Sequence, residues 1–224
     1  MWRDSVLVAG KDLRIEARSR VVLNQVAPFG LVVLVLFAFA LGPNPASLTD
    51  AAPGLFWVSV LFATVLAVQR SVAVESAEGR DGLRLSGLDP AGVFLGKTLA
   101  VAAELAALEV VLAIGVVLLY GVVVHSVWAL VVACVAGTIG LAAAGTLYGA
   151  LAGGLRVRET LLPFLLLPVV APVLVAGTRA WQSALGSGAA AGGSGDPWLR
   201  LLCVFAAVYL ALGVLIFGPL QEAS

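Results

Sequence analysis

Residues 98–120 read TLAVAAELAALEVVLAIGVVLLY, 23 residues in which only Glu104 and Glu109 carry charge. A bilayer's hydrocarbon core is about 30 Å thick, so a helix needs roughly 20 predominantly apolar residues to cross it. This run is long enough alone. Comparable runs occupy residues 21–41, 53–74, 127–153, 160–177 and 198–217. The whole chain agrees: of 224 residues, 61% are hydrophobic and only 12% charged, with a mean hydropathy of +1.08. Soluble domains are about half apolar and a quarter charged, so lipid is the natural solvent for this sequence. A membrane β-barrel would show short alternating segments; these runs are long and unbroken. The expected fold is an all-α integral membrane protein with six transmembrane helices, residues 21–219, and no soluble domain of enzyme size.

Turn chemistry separates the runs. The breaks are Gly42-Pro43-Asn44-Pro45, residues 75–97, 121–126 and 154–159, and a Gly/Ser/Ala-rich stretch at 186–197. Basic residues then orient the bundle. Arg3, Lys11, Arg14, Arg18, Arg20, Arg70, Arg80, Arg84, Lys97, Arg156 and Arg158 fall on one side, eleven in all, against Arg179 and Arg200 on the other. Excess Lys and Arg mark the cytoplasmic side, which puts both termini in the cytoplasm. Net charge is zero, so overall charge calls for no nucleic-acid partner.

Ala38-Phe39-Ala40 has the small-residue spacing of a signal-peptidase site. The 21-residue apolar run and the acids Asp4, Asp12 and Glu16 before it argue for a retained span instead. Within residues 1–20, Trp2, Val6, Ala9, Leu13 and Ala17 recur at helical spacing while Lys11, Arg14 and Arg18 fall elsewhere. That pattern predicts an amphipathic helix lying in the lipid interface; a solvated charged end is the alternative.

Few residues offer chemistry. Gly96-Lys97-Thr98 has the tail of a phosphate-binding loop, but the motif needs Gly where Ala91 stands. His125 is the one histidine; it is a candidate haem or metal contact at the mouth between the third and fourth spans, or simply a polar helix end. Cys134 and Cys203 lie singly in apolar runs and read as packing residues. Glu109 lies about 16 Å along the third span from Thr98, where an acid must face protein or water or carry a proton. Glu104 is shallower. Five residues of helix place the two about 140° apart, so they are no catalytic pair. They mark either a polar seam towards a partner or a buried hydrogen bond. Pro163, Pro168 and Pro172 favour kinks in the fifth span. The glycines of the fourth span, with Gly145, Gly149 and Gly153 four apart, permit close helix contact.

The longest connection, residues 75–97, reads ESAEGRDGLRLSGLDPAGVFLGK. Leu83 and Leu88 could offer an apolar strip, ringed by Arg80, Asp81 and Arg84, to a soluble cytoplasmic partner. The acid-Gly pair Glu78-Gly79, then Leu83, Pro90 and Gly96-Lys97, resembles the coupling segment of type-2 ABC permeases. Together with Gly42-Pro43, Ala52-Pro53-Gly54, Trp57, Leu66-Ala67, Arg70, Glu109 and Leu167-Pro168 through Pro172, the chain is similar to the haem exporter protein B family of bacterial cytochrome c maturation.

The resemblance implies a permease subunit that is not itself catalytic and works in the bacterial inner membrane. A separate cytoplasmic ATPase of the haem exporter protein A type would bind ATP and press on Glu75, Glu78, Gly79, Leu83, Arg84, Leu88, Pro90 and Lys97. A haem-handling membrane subunit and a small single-span subunit would complete the complex. ATP hydrolysis would release a haem-loaded periplasmic chaperone. This chain would hold no cofactor of its own, and haem would be handled by the complex. The alternatives are a type-2 exporter of another small or lipid-like substrate, or a membrane scaffold that transports nothing.

Overall fold

The computed structural model describes residues 1–19, 24, 26–42, 44–74, 87–152, 158–188 and 193–223. In lipid every backbone polar group needs a partner within the protein, and a helix supplies these along its own length. Seven α-helices form among the described residues: α1 (Trp2–Ser19), α2 (Ala27–Leu41), α3 (Pro45–Val74), α4 (Pro90–Tyr120), α5 (Val127–Ala152), α6 (Arg158–Leu185) and α7 (Asp196–Ala223). The five from α3 to α7 are long and apolar enough to cross a membrane; α2, with 15 residues, is apolar but shorter. Five long spans with one shorter apolar helix define an all-helical membrane protein.

The helices overrun the apolar runs because caps, not hydropathy, set their ends. Asn44 Oδ1 accepts from the Ala46 N–H at 3.1 Å, so α3 starts at Pro45 rather than at 53. Asp89 caps α4 by accepting from the Ala91 N–H at 3.1 Å, with Pro90 as the first helical residue. An Asx cap followed by proline is a strong start signal, since proline lacks a donor the first turn could not use. Residues 90–97, which the sequence assigns to the connection, are therefore the opening turns of α4. At its far end Gly121 adopts φ 61° and donates to Val117 O at 3.1 Å, closing the helix in the left-handed cap that glycine tolerates. α6 remains one helix through Pro163, Pro168 and Pro172.

Two ends can be told apart. At one, α1 packs on the start of α4, and Gly218 of α7 lies near Pro90. At the other, the backbone N–H of His125 donates to Ala184 O at 2.9 Å and that of Gly188 to Asp50 Oδ1 at 2.8 Å. The helices α3 to α7 thus alternate in direction. α4 is the central column and touches α1, α2, α3, α5 and α7.

Packing is by large side chains seated on glycines. Trp57 is fully buried, and a Cβ at Gly137 of α5 or Gly177 of α6 would overlap its indole. Phe56 stacks on Trp181 with centroids 3.9 Å apart. Phe94 sits against Gly213 of α7, and Val68 against Gly145. Small residues matter here because lipid tails are as apolar as leucine, leaving close packing to hold the helices together. Gly137, Gly140 and Gly145 receive neighbouring side chains and Gly149 is buried; Gly153 of the four-residue stripe lies outside the described residues.

Gly137→Ala and Gly177→Ala should each destabilise the bundle by about 1–3 kcal/mol through overpacking, read as a lower unfolding temperature in detergent. Gly54→Ala, where a Cβ meets nothing within 4 Å, should leave that temperature unchanged.

Candidate functional site

The connection of residues 75–89 leaves α3 and enters α4, and α1 lies along both of its flanks. Near the start of α1, the Asp4 carboxylate takes a hydrogen bond from the Met1 amino group at 2.9 Å, and the same amino group pairs with Asp89 Oδ2 at 3.6 Å. The amino group holds the Asp4 carboxyl below its ordinary value, and the Asp89 backbone contributes to the same shift. This hold is therefore present above the usual carboxylate range and is lost as pH falls through the depressed value. Next along α1 comes close backbone contact: a Cβ at Gly92 would lie 2.8 Å from Met1 O, and one at Gly96 would lie 2.7 Å from Ser5 O. Further along, the Arg70 Nη1 of α3 donates to Glu16 Oε2 at 2.7 Å.

The face of α1 that meets the bundle is Ser5, Val8, Ala9, Asp12 and Glu16, while Trp2, Val6 and Leu7 point outward. The apolar stripe read from the sequence is thus split. Ala9 packs inward, Trp2 and Val6 remain free for lipid, and Arg3, Lys11, Arg14 and Arg18 are exposed.

Arg70 and Glu104 line the same cleft, a pairing the sequence does not announce. With Asp12, Glu16, Ser71 and Val101 they line a cleft of about 400 Å³, counting its open mouth, among α1, α3 and α4. Lys97 is 7% exposed, so Gly96-Lys97-Thr98 is a buried helical segment rather than a phosphate-binding loop. Pro90 serves as the first residue of α4. Leu88 is half-buried and packs against the cluster of Val8, Phe94 and Phe217, which commits it partly to the interior. Glu75, Glu78, Gly79, Leu83 and Arg84 lie outside the described residues.

Glu109 sits apart from this cleft, as its angular offset from Glu104 requires. It is 5% exposed and meets α5, where Thr138 Oγ1 donates to Glu109 Oε1 at 2.5 Å and the Cys134 thiol lies nearby. An intramembrane charge costs on the order of 3 kcal/mol on insertion scales, and a hydrogen bond to a charged group returns roughly 1.5–3 kcal/mol. The Thr138 hydroxyl therefore offsets part of the cost of placing an acid at this depth. His125 is exposed, with its ring beside Gly186. Among the described residues no group of three or more His, Cys, Asp and Glu side chains is placed to hold a metal.

Sequence reasoning passed over Glu16, Thr138 and Cys134 as site residues. The spacing of Ser5, Val8, Ala9, Asp12 and Glu16 could have marked the inward face of α1. Nothing in the sequence pairs Glu109 with residues 25 and 29 positions later.

These features define a multi-pass, all-helical membrane protein whose first helix braces the connection between its second and third apolar runs. The sequence model of the CcmB protein family matches residues 4–219, and the chain belongs to that family. It is 29% identical over 220 residues to Heme exporter protein B of Paracoccus denitrificans, covering 96% of this chain and 94% of that protein. It is 29% identical to Heme exporter protein B of Haemophilus influenzae over 175 residues, 78% of this chain and 79% of that one. The protein of the same name from Rhodobacter capsulatus is 32% identical over 175 residues, 75% of this chain and 78% of its own length.

Partly exposed ion pairs couple by about 0.2–1 kcal/mol. A double-mutant cycle of Glu16→Gln and Arg70→Gln, read by unfolding temperature in detergent, should return a coupling of that order. Strict additivity would show that the pair does not tie α1 to α3.

Proposed function

We propose that the chain is the membrane permease subunit of an ABC-type haem export complex serving cytochrome c maturation. The observation that carries this reading is the family match, which runs from α1 into α7. The relatives named above are haem exporter subunits by name and align over most of their length.

In this reading residues 21–41 form a sixth span that includes α2. Both termini and residues 75–97 face the cytoplasm, following the eleven-to-two division of basic residues. The membrane is the bacterial inner membrane. A separate ATPase of the haem exporter protein A type binds ATP and docks on Glu75, Glu78, Gly79, Leu83, Arg84 and the surface around Leu88 and Pro90. The chain supplies no phosphate loop of its own, since Gly96-Lys97 lies within α4 and Ala91 stands where the loop needs glycine.

ATP-driven closure pushes the connection. Because α1 is tied to Asp89 at one flank and to Arg70 at the other, a push on the connection is delivered to α3 and α4 together. A haem-handling membrane subunit and a small single-span subunit complete the complex, and its cycle releases a haem-loaded periplasmic chaperone. No residue of this chain is assigned to hold haem.

Co-expression with a candidate ATPase of the haem exporter protein A type tests the reading. The ATPase should co-purify, and Leu83→Asp with Arg84→Glu should lower its recovery at least tenfold while the membrane subunit is still recovered. Deleting the chain from a bacterium that makes c-type cytochromes should abolish covalent haem staining. Co-purification with normal cytochrome c would point instead to a type-2 exporter of another small or lipid-like substrate. Loss of cytochrome c without any bound ATPase would point to a scaffold.

A further inference from the structure

We propose that the outward face of α1 is a docking strip for the phosphate headgroups of anionic phospholipids. The structure sorts the charges of this helix, which the sequence alone leaves mixed.

All three acids of α1 are engaged. Asp4 holds the Met1 amino group, Asp12 pairs with Lys11 at 3.1 Å, and Glu16 accepts from Arg70. Arg3, Arg14 and Arg18 are exposed and belong to no ion pair among the described residues. At about 100° per residue, Arg3, Leu7, Lys11, Arg14 and Arg18 fall within an arc of about 80°, and Asp12 and Glu16 lie on the opposite face. The result is a strip about 22 Å long whose charged side chains are all basic.

Large apolar side chains adjoin those bases and decide the occupant. Trp2 is 78% exposed along one edge, next to Val6; Leu7 stands within the strip, and Ile15 borders the other edge. An acidic protein surface would answer the arginines but not the indole. A headgroup layer takes both, because its phosphates bind the bases while apolar side chains enter beneath them. Tryptophan is enriched at that layer. A guanidinium fork also matches two phosphate oxygens, where an ammonium offers only a point charge. The three unpaired bases are all arginine, and the one lysine of the strip is the base already paired.

The place of α1 in the fold agrees. Met1 lies against Gly92, Ser5 and Val8 against Gly96, and Asp12 and Glu16 share a cleft with Val101 and Glu104. α1 therefore accompanies α4 over residues 92–104, about 18 Å. Lys97, the last base before the apolar run of α4, falls within that stretch, so α1 spans the level where hydrocarbon gives way to headgroups. Arginines at its deeper end reach the phosphates by extending their stems along apolar surface. Lipid held here also anchors the brace. The same helix meets Asp89 and Arg70, so both ends of the long connection are tied to the leaflet surface.

Electron spin resonance of spin-labelled phospholipids around the full chain, in phosphatidylcholine vesicles, tests the strip. Labelled phosphatidylglycerol should be held at the protein in preference to labelled phosphatidylcholine, and salt should weaken that preference. Arg3→Gln, Arg14→Gln and Arg18→Gln combined should lower it at least about threefold, since one base near the surface contributes up to about fivefold. The corresponding triple Lys variant should retain part of it. An unchanged preference in the Gln variant, or no preference in the parent chain, would overturn the proposal. Loss of the preference to inorganic phosphate, at an ionic strength where chloride leaves it intact, would show a site for the free anion and reject a lipid strip. Lost ATPase co-purification with an unchanged lipid preference would show an acidic protein face and reject it equally. Should the triple Gln variant not fold, the single replacements must each lower the preference, and their failure to do so rejects the strip.

Discussion

Trp57 needs a cavity, and two other helices must provide it. Its indole is seated between Gly137 on α5 and Gly177 on α6, so three helices approach as closely as glycine allows. Lipid offers no hydrophobic gain for bringing helices together, because the tails solvate leucine as well as another helix does. What remains is contact between complementary surfaces, and a large flat side chain laid on bare backbone gives more of it than matched medium-sized side chains. The same device recurs where Phe94 meets Gly213 and where Val68 meets Gly145. Remove the glycines and the helices still form, since each satisfies its own backbone, but their order in space is no longer specified.

That close packing makes α4 a stiff column, and α1 takes advantage of it. Gly92 and Gly96 let the backbone of α1 lie almost directly on α4, so the two pack as one unit. The Glu16–Arg70 pair then extends that piece to α3. The ion pair contributes little to stability on its own. Its importance is geometric: with the pair between the Met1 amino group and Asp89 it ties α1 to both ends of the long connection. A force on the connection would otherwise bend a loop; here it meets two helices braced by a third. For the proposed coupling to an ATPase, that brace is what converts a local push into a shift of the bundle.

Much of this was legible in the sequence, and the reasons for the rest are physical. Long apolar runs have few alternatives to membrane helices, so α3 to α7 were found, and the antiparallel order follows from short connections. Helix ends were misplaced because Asn44-Pro45 and Asp89-Pro90 start helices well before the hydrocarbon begins. The sequence places α1 in the lipid interface, and Trp2 and Val6 stay exposed there; an apolar residue suits lipid and a neighbouring helix equally, so only the polar Asp12 and Glu16 mark the inward face. Glu104 and Glu109 are separable by helical angle alone, yet the hydrogen bond of Glu109 depends on Thr138, which no spacing rule connects to it. α2 is shorter than the 21-residue run that suggested it, and the residues before it fall largely outside the described ones. The family resemblance, carried by scattered Gly, Pro and charged positions, agrees with the match over residues 4–219.

The central claim is that this membrane bundle meets a cytoplasmic ATPase through the connection braced by α1. Site-specific photo-crosslinking in intact cells tests it most directly, with the reactive residue placed at Arg84 in one strain and at the exposed Trp128 of the opposite end in another. The account predicts an adduct of this chain with the ATPase from position 84 and none from position 128. An adduct from position 128, or none from position 84 in cells where the ATPase still co-purifies, would contradict it.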